Sequence, residues 1–282
     1  MIILFLKGGI GNQLFQIFTV ISLSIDTNIK YYINSKFYKS QNKNKVSIRY
    51  MYFNTLFKEI ENNICYNKIL YNNYYNDFRK GKEYIDLTKY KNIILNSYYE
   101  NPLYFNHNKD NIVKLLKFDE QLKNLPNPVS NSVALHFRFG DKYKFGYSRL
   151  SNDYYINAIN YLMSNVSKEL TFYIFYEKNI EDIPILNNYM DTIKKLNCNI
   201  IDTSELNLSD DNELLFMSKF EYYILAESTY SWWGQYLSNN KKLVIAPNNI
   251  FYNDNNINNI NNINNNENTN KILIPFINVI LI

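Results

Sequence analysis

Residues 2–6, IILFL, are uniformly apolar and read as a buried strand, which gives way at 7–12, KGGIGN, to a glycine-rich turn. From Asn12 the apolar positions take helical spacing, with Leu14, Phe18, Ile21 and Ile25 on one face. Residues 30–33, KYYI, read as the next strand, so the chain opens β-α-β with the glycine turn at the carboxyl end of the first strand. Residues 35–130 have weak periodicity, with a strand expected at Ile93–Leu95 and a helix over 110–125. Pro126 and Pro128 then interrupt the chain, and the expected boundary falls there, between an N-terminal domain, 1–128, and a C-terminal domain, 129–282.

The second half alternates more clearly. Strands are expected at 133–138, Thr171–Tyr176, Asn199–Asp202, 222–226 and Leu243–Ala246. Between them come a helix over about 153–163 capped by Ser151, another over 210–219, and a third from about Tyr230. Strands separated by helices imply α/β architecture with a mainly parallel, doubly wound sheet. Residues 253–270, NDNNINNINNINNNENTN, are of low complexity and read as a mobile polar loop without a part in catalysis.

Composition adds bounds. The 282 residues suit two modest α/β domains or one large one, and 46% are hydrophobic, enough for a real core. The net charge of +4 is spread along the chain, whereas a nucleic-acid binder would concentrate it in a stripe, so no nucleic-acid partner is expected. The two cysteines, Cys65 and Cys198, make neither a metal spacing nor a disulfide framework and suit a reducing compartment. The apolar start lacks a basic leading region, and the apolar stretch 272–282 is shorter than the roughly 20 residues a bilayer span needs. The expectation is a cytoplasmic protein without a transmembrane anchor, with contact at a membrane surface left open.

Three blocks carry candidate chemistry. Gly8-Gly9-Ile10-Gly11-Asn12-Gln13 joins a strand to a helix, where glycines allow close backbone approach and free N–H groups favour anions. It is neither the dinucleotide fingerprint nor a P-loop, and by glycine spacing alone it is a tight turn. His136-Phe137-Arg138-Phe139-Gly140-Asp141 ends a strand, where open α/β sheets bind ligands. Arg138 suits a bidentate phosphate contact, and Asp141 suits orienting it or accepting a proton; a structural Arg–Asp pair beside a buried histidine is the competing reading. Glu227-Ser228-Thr229-Tyr230-Ser231-Trp232-Trp233-Gly234 delivers three hydroxyls into a helix start, a turn suited to phosphate oxygens, while the two tryptophans read as packing residues.

In that order and spacing, G-G-x-G-N-Q, H-x-R-x-G-D and S-T-x-S-W-W-G resemble the α-1,2-fucosyltransferase family. Weaker matches at Ser97-Tyr98-Tyr99-Glu100, Tyr104-Phe105, Leu150-Ser151, Phe216-Met217-Ser218, Val244-Ile245-Ala246-Pro247 and Leu273-Ile274-Pro275 extend the resemblance over nearly the whole chain. The resemblance implies two Rossmann-like domains facing a central cleft (the GT-B type), with the acceptor on the N-terminal side and GDP-fucose on the C-terminal side. It implies inverting transfer in α-1,2 linkage to a galactoside or related glycan. Arg138, Ser228, Thr229 and Ser231 would then meet the diphosphate, Gly11 and Asn12 would close the site, His136 would meet the nucleotide, and Asp211 would read the guanine edge. Catalysis would rest on Arg138 and Asp141 without a metal or cofactor, in keeping with the absence of any Asp-x-Asp pair.

The chain also departs from that family. Phe139 stands where a second arginine is usual, Tyr176-Glu177-Lys178 where Ser-Asp-Asp is usual, and Ile250 where a tryptophan is usual. Two alternatives therefore stay open: a transferase of the same fold using another nucleotide sugar, and an inactive glycan- or nucleotide-binding protein.

Overall fold

The computed structural model describes residues 1–34, 51–65, 75–77, 84–139, 150–177, 183–248, 251–252, 272–275 and 278–282. The chain divides into two units, Met1–Asn124 with Ile260–Leu273, and Leu125–Asn259 with Ile274–Ile282.

The first unit is built on strands β1 (Ile2–Phe5), β2 (Tyr31–Asn34), β3 (Ile64–Cys65), β4 (Tyr75–Asp77) and β5 (Ile93–Leu95). They pair in the order β3-β2-β1-β5-β4, every pair parallel. Ile2, Ile3 and Leu4 are fully buried at the centre of the sheet, as expected of parallel strands covered on both faces. The helix α1 (Ile10–Thr27) is buried on nearly every side from Ile10 to Leu23. Ile25, expected on the buried face, is 45% exposed, because the helix emerges into solvent after Leu23. The single helix expected over 110–125 is two short ones, α2 (Lys109–Leu115) and α3 (Phe118–Lys123). The break comes at Lys117, in the left-handed region at φ 52°, and both Leu116 and Phe118 on either side of it are buried.

The second unit carries β6 (Ser132–Phe137), α4 (Asn152–Asn165), β7 (Thr171–Tyr176), α5 (Ile183–Lys194), β8 (Asn199–Asp202), α6 (Asp210–Met217), β9 (Tyr222–Ile224), α7 (Thr229–Leu237) and β10 (Leu243–Ala246). Short strands β11 (Phe251–Tyr252), β12 (Ile272–Leu273) and β13 (Val279–Leu281) follow in sequence. Six of these strands form one sheet, β13-β10-β9-β6-β7-β8, with all pairs parallel. Ser151 caps α4 as expected, its Oγ accepting from the Tyr154 N–H at 3.3 Å. Helix α5 is one the sequence reading does not include; Pro184 sits in its first turn, where proline is tolerated, and Tyr189 and Ile193, four apart, are buried. The fold is therefore mixed α/β with parallel sheets, as the sequence pattern implies.

Strand order decides where ligands fit. From β6 the chain runs outward through β7 and β8, then returns to the other side of β6 for β9 and β10. The order thus reverses between β6 and β9, and open α/β sheets bind ligands outside the carboxyl ends of strands at such a reversal.

Candidate functional site

The sheet of the second unit brings two of the sequence blocks to that reversal. Residues Val133, Ala134 and Leu135 pair in register with Tyr222, Tyr223 and Ile224. Arg138 follows the end of β6, and the turn 225–228 follows the end of β9. The Arg138 side chain is 23% exposed, and its Nη1 donates to Glu177 Oε2 at 3.0 Å. Glu177 lies just past the end of β7, the strand on the other side of β6. The guanidinium is thus held in an ion pair, at a strand end and partly open to solvent.

His136 is 5% exposed, and its backbone carbonyl accepts from the Tyr155 hydroxyl at 3.3 Å. Its ring lies 5.6 Å from the Tyr230 ring, at 30° between planes, so it reaches the first turn of α7. Nδ1 is buried and has no hydrogen-bond partner among the described residues. Burial, helped by the Arg138 charge, pushes the imidazole pKa down to about 3, so the ring is neutral at physiological pH.

Ser228 is the N-cap of α7, and its Oγ accepts from the Tyr230 N–H at 3.2 Å. Thr229 at the first helical position is only partly buried. Ser231 differs from the expectation: it is fully buried, and its hydroxyl faces the carbonyls of Ala226 (3.4 Å) and Ser228 (3.3 Å), holding the turn from inside. Trp232 and Trp233 are fully buried packing residues, as expected. The Tyr230 hydroxyl donates to the Asp210 carbonyl at 3.2 Å and lies 3.1 Å from Glu213 Oε2. That ties the start of α7 to the start of α6, where Asp211 sits 4% exposed in the first turn. The packing of α6 and α7 is tight, since a Cβ on Gly234 would fall 2.3 Å from Met217 Sδ.

Phe139, the position of the usual second arginine, is fully buried among aromatic rings: Phe137 at 6.1 Å, Tyr189 at 6.0 Å and Tyr176 at 6.4 Å. Its side chain belongs to the hydrophobic core of the unit. Asp141 and Gly140 lie outside the described residues, as do Lys178, Ile250 and the segment 253–270. Among the described residues no three His, Cys, Asp or Glu side chains cluster as a metal site would require. None of the described helices is long and apolar enough to cross a membrane.

The glycine block belongs to the first unit. Gly8 has φ +82°, and a Cβ there would fall 2.9 Å from both Cβ and Nδ2 of Asn12 and 3.2 Å from Tyr98 Cε1. Only glycine suits both that backbone conformation and that space. The turn is latched by Gln16, which accepts from the Lys7 N–H at 3.1 Å and donates to the carbonyls of Lys7 and Asn12, each at 2.7 Å. Helix α1 then starts at Ile10 with Gly11 buried and Asn12 partly exposed, no side-chain cap, and no acidic residue in its first turn.

No protein-family model matches the chain. Among curated proteins it is similar to the O-antigen biosynthesis glycosyltransferase WbnK of Escherichia coli, at 30% identity over 176 residues, 56% of this chain and 55% of that one. It is also similar to an α-1,2-colitosyltransferase of Escherichia coli, at 27% identity over 164 residues, 53% of each chain. Over a little more than half its length the chain is thus similar to two curated sugar transferases. It spans about half the length of these curated relatives in the matched region. The three-block resemblance to a glycosyltransferase family is thereby met by two relatives whose names carry sugar transfer. Solved structures that superpose on it include a mutant of FUT1 from Arabidopsis thaliana in complex with GDP, at 9% identity and TM-score 0.46, covering 86% of this chain and 69% of that one. Fucosyltransferase NodZ from Bradyrhizobium superposes at 9% identity and TM-score 0.43, covering 84% and 93%. Nothing about substrate or site follows from likeness at that level.

Proposed function

We propose that this protein is an inverting, metal-independent glycosyltransferase that moves L-fucose from GDP-fucose to a galactoside or related glycan in α-1,2 linkage. The observation that carries the reading is the strand-order reversal in the second unit, where Arg138 and the hydroxyl-bearing start of α7 end neighbouring parallel strands. Such a place suits a diphosphate: Arg138 offers a planar, permanently charged fork, and the first turn of α7 offers N–H groups and the Ser228 and Thr229 hydroxyls. Ser231 supports that turn from within. The neutral His136 ring, its Nδ1 without a partner among the described residues, suits the nucleoside, and Asp211 in the first turn of α6 is the candidate acceptor for a guanine edge. The second unit thus serves as the donor domain and the first as the acceptor domain of a GT-B transferase.

In the reaction an acceptor hydroxyl oxygen attacks the anomeric carbon as the bond from that carbon to the diphosphate oxygen breaks. The bonding electrons leave with GDP, and the acceptor proton passes to a base, for which Asp141 is the candidate. Charge grows on the diphosphate as the bond lengthens, so groups that meet it favour the transition state over the ground state. A screen of nucleotide sugars against galactose-terminated acceptors tests the reading, with the product linkage assigned by NMR. Transfer from GDP-fucose into an α-1,2 product is the expected result; no transfer from any donor refutes the reading.

A second reading has its own support: a donor sugar other than fucose. One relative is named for colitose transfer, and Phe139 fills with core packing the place of a usual arginine. The same screen separates the two.

A further inference from the structure

The first unit has a strand-order reversal of its own. From β1 the chain goes to β2 and β3 on one side, then comes back through β4 to β5 on the other side of β1. The reversal lies between β1 and β5, so the residues just past their carboxyl ends flank the place where such a sheet takes a ligand. Past β1 stand Lys7 and Gly8; past β5 stand Asn96, Ser97 and Tyr98.

Tyr98 is built to be presented there. Ser97 before it is 5% exposed and Tyr99 after it 2% exposed, yet Tyr98 is 42% exposed. Tyr99 has φ +54°, a left-handed backbone that a bulky aromatic residue seldom adopts. Backbone strain of that kind collects at ligand clamps. Here Tyr99 stays buried, edge-on to the Tyr104 ring at 5.5 Å, and the chain turns at once, with the Asn101 N–H donating to the Tyr99 carbonyl.

The Tyr98 ring is also braced. The Lys7 ammonium lies 5.0 Å from its centroid, within the range of a cation–π contact. That ammonium is itself held by the Asn96 carbonyl at 2.8 Å and by Asn96 Oδ1 at 3.2 Å. The ring edge abuts Gly8, where any side chain would press on Cε1. A ring held from two sides has lost its freedom before a ligand arrives, which lowers the cost of binding.

We propose that Tyr98 is the stacking platform for a pyranose ring of the acceptor, in a subsite at the strand-order reversal of the first unit. This rests on the glycosyltransferase reading above. An aromatic face beside polar backbone suits a sugar, whose C–H face packs on the ring while its hydroxyls find donors and acceptors around the rim. A nucleobase is the competing occupant, but the reading above gives that role to His136 and Asp211 of the second unit.

The experiment measures acceptor and donor KM for the full chain and for Tyr98→Ala and Tyr98→Phe. Tyr98→Ala should raise the acceptor KM about ten-fold, the loss expected for one aromatic face and its burial, and move the donor KM far less. Tyr98→Phe should restore the acceptor KM, because the stacking face is kept. An unchanged acceptor KM in Tyr98→Ala overturns the proposal, as does a donor KM that rises in step, which would mark a nucleotide contact. If the unmodified chain transfers no sugar, the activity reading fails while this one is still read by saturation-transfer NMR with galactose-terminated oligosaccharides. Sugar ring signals that vanish in Tyr98→Ala and persist in Tyr98→Phe support it; no signal with the unmodified chain overturns it.

Discussion

Arg138→Ala separates a role in chemistry from a role in folding. The arginine pairs with Glu177 at 3.0 Å, but the two side chains are 23% and 49% exposed. An ion pair that open to solvent contributes at most about 1 kcal/mol. In a chain of this size such a loss lowers Tm by about 2–4 °C. The same side chain facing a diphosphate leaving group stabilises developing charge, and removing one preorganised donor of that kind costs about 100- to 1000-fold in turnover. Phe139 is committed to the core and cannot substitute. Arg138→Lys should recover little, because an ammonium does not reproduce the two-pronged contact. The assay is the initial rate of transfer at saturating donor and acceptor, beside a thermal melt of the same preparation. A variant that melts within a few degrees of the unmodified chain and keeps near-normal turnover removes Arg138 from the mechanism.

His136 should make stability depend on pH. Its folded pKa, about 3, lies below the ordinary 6.5, so the unfolded chain takes up the proton first as pH falls. The stability tied to the neutral ring is complete above pH 6.5 and lost on descent towards pH 3, at about 1.4 kcal/mol per pH unit. Urea titrations of the unmodified chain and His136→Gln from pH 7 to 4 should converge accordingly; a constant difference contradicts the assignment. Gly234→Ala should cost about 1–3 kcal/mol, since its Cβ overlaps Met217 Sδ, and Met217→Ala in the same chain should recover part of it in urea denaturation. Gly8→Ala combines a left-handed φ with a 2.9 Å clash on Asn12, and should destabilise by at least about 1 kcal/mol; an unchanged melting curve would refute the need for glycine there.

Local pattern carried the second unit well. Thr171–Tyr176, Asn199–Asp202 and Leu243–Ala246 are strands with the expected bounds, because short β-branched and aromatic runs between polar turns admit little else. Helix α5 escaped because only Tyr189 and Ile193 of its apolar positions are buried, so its pattern is weak, and Pro184 lies in its first turn. The break at Lys117 escaped for a related reason: a left-handed lysine is chosen by the burial of Leu116 and Phe118, which no local signal records. At the candidate site, residue types pointed to Arg138, His136 and Ser228 but not to their directions. Ser231 and Thr229 are both helix-start hydroxyls in sequence, and only packing distinguishes the buried one from the accessible one. Phe139 likewise reads as a lost cation until its burial shows it to be a core residue. The Tyr98 platform was out of reach, since it depends on strand order and on the backbone at Tyr99.

The most direct test of the central claim is GDP release from GDP-fucose by the purified full chain, measured in EDTA with and without a galactose-terminated acceptor. The account predicts release that depends on the acceptor and proceeds undiminished in the chelator, because cationic and dipolar groups of the chain meet the leaving diphosphate. Release that requires added manganese, or no release with any acceptor or nucleotide sugar, would contradict it.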